Sequence, residues 1–305
     1  TIKDLRWLPL IYRIHTEEQA KDKNNWHLAN PSLKYLPTLQ LEMENAYTEM
    51  QYSVALEEEF FTKRMNYPKG NRDLQVTEWD NIAATNKTMP DLTGRQCVVG
   101  IDYTKINDLA SVDLHFRDGD IRYKINHSWL CLQSADLKRL KIPWQQWADE
   151  GKLTLVDDVE ISPYLITDYI LEMAMSYNIL SVAVDGFRYA LLAKALKEIG
   201  FDKENKNLYL VRPSDIMKIV PVIDSIFVNH YFCWGDNPLL RWATNNTKLI
   251  ASGKKQGTDT GNFYYGKIEG KSRKTDPFMA GVHSTVIEHL LDTGGSVFED
   301  LPVIT

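Results

Sequence analysis

Cysteine is scarce. Cys97, Cys131 and Cys233 are the only three, they lie far apart and they form no CxxC pair. That argues against a disulfide framework and a cysteine-rich zinc site, and a reducing compartment is expected. Long apolar runs are missing as well. No stretch approaches the length of a membrane span, and no charged-then-apolar leader opens the chain, so neither membrane insertion nor secretion is expected. The first residue is Thr1 rather than methionine, as expected of a trimmed chain or of a fragment of a longer protein. Internal repeats and low-complexity segments are absent, so a solenoid or a disordered tract is not expected. Excess positive charge is also lacking, since the net charge is −6. The chain as a whole therefore does not advertise a nucleic-acid binder.

What remains is ordinary for a globular protein: 305 residues, 44% hydrophobic and 25% charged. That is enough for one large domain, or for a domain with extra segments. Charge is uneven along it. Lys248, Lys254, Lys255, Lys267, Lys271, Arg273 and Lys274 are opposed only by Asp259 and Glu269. The stretch is either a solvated loop region or a local phosphate-binding patch.

Two regions differ in pattern. Residues 1–94 begin with a strand-like run, Leu8–Ile14. A helical pattern follows from about Pro37 to Arg64, with Leu41, Met43, Ala46, Tyr47, Met50, Val54, Phe60 and Phe61 as its apolar stripe. Residues 66–94 read as a linker with one short element near Trp79. From residue 95 onward, three strands (Gln96–Ile101, Ala110–Phe116, Ile121–Leu132) form a meander of hairpins. Strands Ile179–Val184 and Leu208–Val211 then alternate with helices at 163–178, Phe187–Ile199 and Ser214–Val228, the last kinked or split at Pro221. A short helix at Asn237–Asn246, a hairpin over 248–252 and 262–268, and a helix from Pro277 to Leu291 complete the chain. This predicts an α/β domain over 95–305, with an antiparallel meander, then parallel strands, and helices on both faces.

Asp102 and Asp185 occupy matching contexts. Val-Val-Gly-Ile-Asp102 and Val-Ala-Val-Asp185 each end an apolar run and open a loop. If the two strands are neighbours, both carboxylates emerge at one edge of the sheet. Each alone is more simply a turn or cap residue, and Asp276 in Thr275-Asp276-Pro277 is more simply a helix N-cap. Together they change the expectation, because gathered carboxylates repel and call for a divalent cation. All-oxygen ligands suit Mg²⁺ or Mn²⁺, and two such ions can drive phosphodiester cleavage. Asp108 is a fourth ligand or a loop cap. Lys267, Lys271 and Lys274 are candidates for phosphate contact, Lys267 first, and solvated lysines otherwise. His283 faces the site or simply packs. Asp113, alternating within its strand, is expected to face solvent. Trp144, Trp147 and Trp234 could stack on bases or pack, and packing suits Trp242 better.

Four stretches carry a family resemblance: Gly100-Ile-Asp102 with Asp108-Leu-Ala; Val184-Asp185 with Tyr189-Ala-Leu-Leu-Ala-Lys-Ala-Leu; Asn237-Pro-Leu-Leu-Arg-Trp242 with Asn246; and Lys274-Thr-Asp-Pro-Phe-Met-Ala280. In order and spacing the chain resembles the nuclease domain of tailed-phage terminase large subunits. Trp26, Ala29-Asn-Pro-Ser32 and Glu59-Phe-Phe-Thr-Lys-Arg-Met-Asn66 resemble the end of that family's ATPase region and its linker. The resemblance implies a ribonuclease-H-like fold and an endonuclease that cuts concatemeric double-stranded viral DNA during packaging, with Asp102, Asp185 and Asp276 as catalytic metal ligands. It also implies the small terminase subunit and the procapsid portal as partners, in the cytoplasm of a bacterial host. The family's phosphate-binding loop is not matched. Gly261-Asn-Phe-Tyr-Tyr-Gly-Lys267 is followed by Ile268 rather than a hydroxyl residue, so no ATP turnover is expected from this chain. The competing expectation is a ribonuclease-H-like module that grips DNA or another packaging component without cutting. An actin-like ATPase is disfavoured, because residues 103–109 contain no glycine.

Overall fold

The structure, a computed structural model, describes residues 10–52, 54–67, 75–140, 142–186, 188–252, 254–255, 258–259 and 262–291. The chain divides into two compact units, Thr1–Asp73 and Leu74–Thr305. Residues 75–94, with their one short helix, fall in the second.

The first unit contains α1 (Glu17–Lys21), α2 (Pro37–Glu49) and α3 (Val54–Glu59), joined by 3₁₀ turns and followed by a π-helical turn at Phe60–Arg64. The expected long helix is thus broken into pieces. Its core is aromatic. Trp26 packs against Tyr47 and Phe60, and its indole N–H donates to the Ala20 carbonyl at 2.7 Å. Met43, Phe60 and Phe61 are buried as the apolar stripe requires, whereas Leu41 is exposed. Residues 10–14 form no strand, contrary to expectation; Ile14 instead closes the unit by donating its N–H to the Met65 carbonyl. The start of that predicted strand, Leu8 and Pro9, lies outside the described residues.

The second unit opens with α4 (Trp79–Ala83) and the meander β1 (Gln96–Asp102), β2 (Leu109–Asp118) and β3 (Ile121–Cys131). There follow α5 (Trp144–Asp149), β4 (Thr154–Val156), α6 (Pro163–Ala174), β5 (Asn178–Asp185), α7 (Tyr189–Glu198), β6 (Leu208–Val211) and α8 (Pro213–Val228). Last come β7 (Phe232–Cys233), α9 (Pro238–Asn245), β8 (Thr247–Ala251), β9 (Lys254–Lys255), β10 (Thr258–Asp259), β11 (Phe263–Lys267) and α10 (Asp276–Val286). The main sheet has the order β4-β3-β2-β1-β5-β6, with β7 also on β3. β1, β2 and β3 pair antiparallel, while β5 and β6 continue parallel from β1. The short strands β4 and β7 add parallel pairings to β3 that the sequence pattern did not predict. β8 and β11 form a separate hairpin. α8 runs unbroken through Pro221: Val220, Ile223, Ile226 and Phe227 are buried around it, and that packing outweighs one lost backbone bond.

Strand alternation decides what the site inherits. Val99, Ile101, Val112, Leu114, Val182 and Val184 face one way, into a core with Ile166 and Ile170 of α6 and Leu192 and Leu196 of α7. Residues of opposite parity lie under α10, which packs across β1 and β2 and also touches α8 and α9. Gly100 permits that approach. A Cβ there would stand 2.1 Å from the Ala280 carbonyl oxygen and 2.3 Å from the Ser284 nitrogen.

Candidate active site

The parallel pairing of β1 and β5 sets Ile101 beside Val184, so the next residue of each strand, Asp102 and Asp185, leaves the sheet at the same end. Both have the parity of Val98, Gly100 and Ala183, the face covered by α10. α10 begins with Asp276 itself. The N-cap is Thr275, at φ −123° and ψ −2°, so Asp276 is the first helical residue and not the expected cap. Three carboxylates thus come from two adjacent strand ends and one helix start.

The charges of Asp276 and Asp185 both reach Asp102. Burial, then the charges of Asp276 and Asp185, hold the Asp102 carboxyl well above the usual carboxylate range, against the pull of Lys267 and Arg188. Asp102 is nonetheless partly exposed to solvent as a residue. Burial pushes Asp276 up to about 6, with Lys267 opposing and Asp108 adding to the rise. Its Oδ2 atom is buried without a hydrogen-bond partner.

Lysines supply part of the missing charge. Lys267, the last residue of β11, has its ammonium 2.8 Å from Asp108 and 3.7 Å from Asp276. Although burial disfavours its charge, Asp276 and Asp108 raise its pKa. Lys274 is buried and bridges Asp108 and Asp136 at 2.8 Å each. It is therefore a strut within the loop rather than a lysine open to phosphate. Asp108, held between the two ammonium groups, has its carboxyl below the usual range in spite of burial. Lys271 and Arg273 are exposed.

His283 is buried on the sheet side of α10. Its Nδ1–H donates to the Ile101 carbonyl at 2.8 Å, since a carbonyl can only accept. Burial favours its neutral form. It anchors the helix beside Asp102. Trp147 and Trp234 are buried, and Trp144 and Trp242 pack partly buried against core clusters.

Asp113 corrects the sequence expectation most sharply. It is fully buried, because the polar parity of β2 faces α10 and not solvent. Its Oδ2 lies 2.9 Å from the Lys124 ammonium and accepts from the Ser284 hydroxyl at 2.6 Å. Arg188, Asp136 and this buried pair were missed. Only Arg188 left a trace, in its place just after Asp185. Among the described residues no group of three or more His, Cys, Asp or Glu stands close enough, as placed, to hold a metal ion. The donor set still suits a hard cation: it is all oxygen, and one buried oxygen lacks a partner.

The family described as terminase large subunit, endonuclease domain, matches residues 1–269. The terminase large subunit of Lactococcus phage SK1 is 24% identical over 287 residues, covering 89% of this chain and 49% of that protein. That of Lactococcus phage p2 is 23% identical over the same length and the same shares. This chain thus spans about half the length of the curated relatives it matches. The crystal structure of the HK97 bacteriophage large terminase superposes with a TM-score of 0.59 at 18% identity, over 90% of this chain and 56% of that one. At that identity the likeness speaks for the fold, which is ribonuclease-H-like. With the family match running over most of its length, the chain belongs to the endonuclease-domain family of phage terminase large subunits.

Proposed function

We propose that this chain is a metal-dependent endodeoxyribonuclease that cuts double-stranded viral DNA during genome packaging. The observation that supports the reading is that Asp102 and Asp185 leave the sheet at the same end, with Asp276 starting the helix over that face and with Asp102 and Asp276 both raised by burial and by neighbouring carboxylates. Carboxylates gathered at such a cost are poised for a cation. Asp102, Asp185 and Asp276 would hold Mg²⁺ or Mn²⁺, with Asp108 beside them. Two bound ions would make water a nucleophile near neutral pH and stabilise the leaving oxygen of the phosphodiester. Lys267, already drawn towards Asp276, would share in balancing the phosphate charge. Exposed Lys271 and Arg273, just before α10, would hold the DNA backbone.

In this reading residues 1–94 are the end of the ATPase region and its linker, and 95–305 the nuclease. ATP turnover is not expected from this chain, and the small subunit and portal are its proposed partners at the procapsid of an infected cell. Among the described residues no helix is long and apolar enough to cross a membrane. A second reading, DNA gripping without cutting, draws on the Lys267 ammonium that already neutralises Asp108 and Asp276. One assay separates the two. Plasmid incubated with the chain and Mn²⁺ or Mg²⁺ should be nicked and linearised with little sequence preference. A salt-sensitive gel shift with intact plasmid in both metals would leave only the gripping module.

A further inference from the structure

Seven polar or charged side chains line the sheet face beneath α10: Ser111, Asp113 and His115 on β2, and Arg122, Lys124, Asn126 and Ser128 on β3. A sheet face under a helix is ordinarily apolar, as the opposite face of this sheet is. Lys124 is the centre of the polar one. Its buried ammonium lies 2.9 Å from Asp113 Oδ2, His115 Nδ1 and the Gly281 carbonyl, 3.0 Å from Ser284 Oγ and 3.2 Å from Thr285 Oγ1. It thus ties two residues of β2 to three residues of α10. His115 accepts at Nδ1, so its proton sits on Nε2, 3.2 Å from Glu288, which Arg122 also engages. Two cations and two carboxylates balance.

The network does not stop at mid-helix. The amide of Asn126 donates to Asp113 Oδ1 at 3.2 Å and to the Pro277 carbonyl at 3.0 Å. A continuous path therefore runs from Lys124 through Asp113 and Asn126 to the residue beside Asp276. We propose that Asp113, Lys124 and Asn126 form a positioning array that fixes the axial place and rotation of α10, and with it Asp276 relative to Asp102 and Asp185; this rests on the endonuclease reading of that site. None of the three touches the reacting atoms. Apolar packing would hold the helix down but would let it slide or turn, because such contacts are non-directional. Hydrogen bonds to Gly281, Ser284, Thr285 and Pro277 fix both coordinates. Gly100, where α10 meets the strand backbone, leaves little tolerance for error.

The test uses the whole chain and three readouts: thermal melting, Mn²⁺ titration without DNA, and amide exchange in the first turns of α10. Lys124→Met should lower Tm and weaken Mn²⁺ binding. Adding Asp113→Asn removes the unpaired buried charge, so Tm should recover, while Mn²⁺ affinity stays weaker by at least about tenfold, the loss typical when groups that orient metal ligands are removed. Asn126→Ala should leave Tm within a few degrees, weaken Mn²⁺ binding and speed exchange at residues 278–282. If affinity returns together with Tm in the double variant, or if Asn126→Ala binds Mn²⁺ as the parent does, the array is structural only and the proposal is wrong. A parent chain that binds no Mn²⁺ overturns the endonuclease reading instead. Exchange in Asn126→Ala then decides the array by itself, with unchanged rates counting against it.

Discussion

The two ends of α10 carry the same kinds of side chain and do opposite things with them. At the far end Lys124, Arg122, Asp113 and Glu288 are buried together, in pairs. Burial alone would raise Glu288, but the nearby His115 ring and the hydrogen-bonded Arg122 guanidinium hold it down at about 2. At the near end burial and neighbouring carboxylates hold Asp102 and Asp276 above the usual carboxylate range, and one buried oxygen of Asp276 has no partner. The first arrangement matches each buried charge with an opposite one, although burial still disfavours the Lys124 ammonium. The second leaves carboxylates with too little opposing charge, which a chain tolerates where something else is meant to bind. Depth of burial does not separate the two ends; charge compensation does.

Neutralising one carboxylate at each end should therefore give opposite signatures. Asp102→Asn and Asp276→Asn should each reduce plasmid cleavage by roughly a thousandfold, the scale of losing a group that stabilises transition-state charge. Tm should hold or rise, since a destabilised carboxylate is gone. Asp113→Ala should do the reverse to stability, costing about 3–5 kcal/mol by leaving Lys124 buried and unpaired. A drop of Tm in Asp276→Asn as large as in Asp113→Ala would erase the distinction.

Acid should separate the ends without any mutation. Asp276, raised to about 6, keeps its proton below that pH. Mn²⁺ affinity should fall by at least about tenfold per unit as pH drops below about 6, because the ligand must be ionised. The Glu288 contribution has the depressed-carboxylate sign. It is present above the ordinary value of 4.5 and is lost only as pH falls towards about 2. Burial, followed by the nearby Lys124 charge, lowers His115 to about 4. Its unfolded form takes a proton near pH 6.5 that the folded form refuses, so some stability is lost between pH 6.5 and 4. At pH 5 the chain should be folded, with a lower Tm, and poor at binding metal. Calorimetric titration and melting at pH 5 and 7 measure both.

How much of this was legible in the sequence follows the same division. Asp102 and Asp185 could be read because a buried parallel strand is a short apolar run and its end is abrupt. Asp276 could be read only through the constellation and the family resemblance, as the start of a helix tolerates Asp on its own account. The meander and the parallel strands were legible from period and turn residues. The strands β4 and β7 were not, being too short to show a period. Asp113 was read with the correct alternation and the wrong environment. Parity says which residues share a face, but not that a helix from far along the chain covers it. The roles of Lys124 and Asp136 had no local signal, because the partners of each include residues more than a hundred positions away. Gly100 looked like part of a motif, and only the overlying helix explains it.

The smallest effects belong outside both ends, on the exposed basic residues. Lys271→Ala and Arg273→Ala touch neither a buried pair nor a raised carboxylate. Each should leave Tm and Mn²⁺ affinity unchanged. If each contacts one phosphate, its loss should reduce the slope of log affinity for double-stranded DNA against log salt by about 0.9. The loss should be uniform across sequences, because phosphate contacts position DNA without reading it. Lys274→Ala is the informative contrast. Its ammonium is buried between Asp108 and Asp136, so removing it should lower Tm and disturb the loop before α10. A Lys274→Ala variant that changed only the salt slope would mean that its ammonium leaves those carboxylates for the DNA, and the boundary between structural and DNA-facing charge would move one residue group closer to the site.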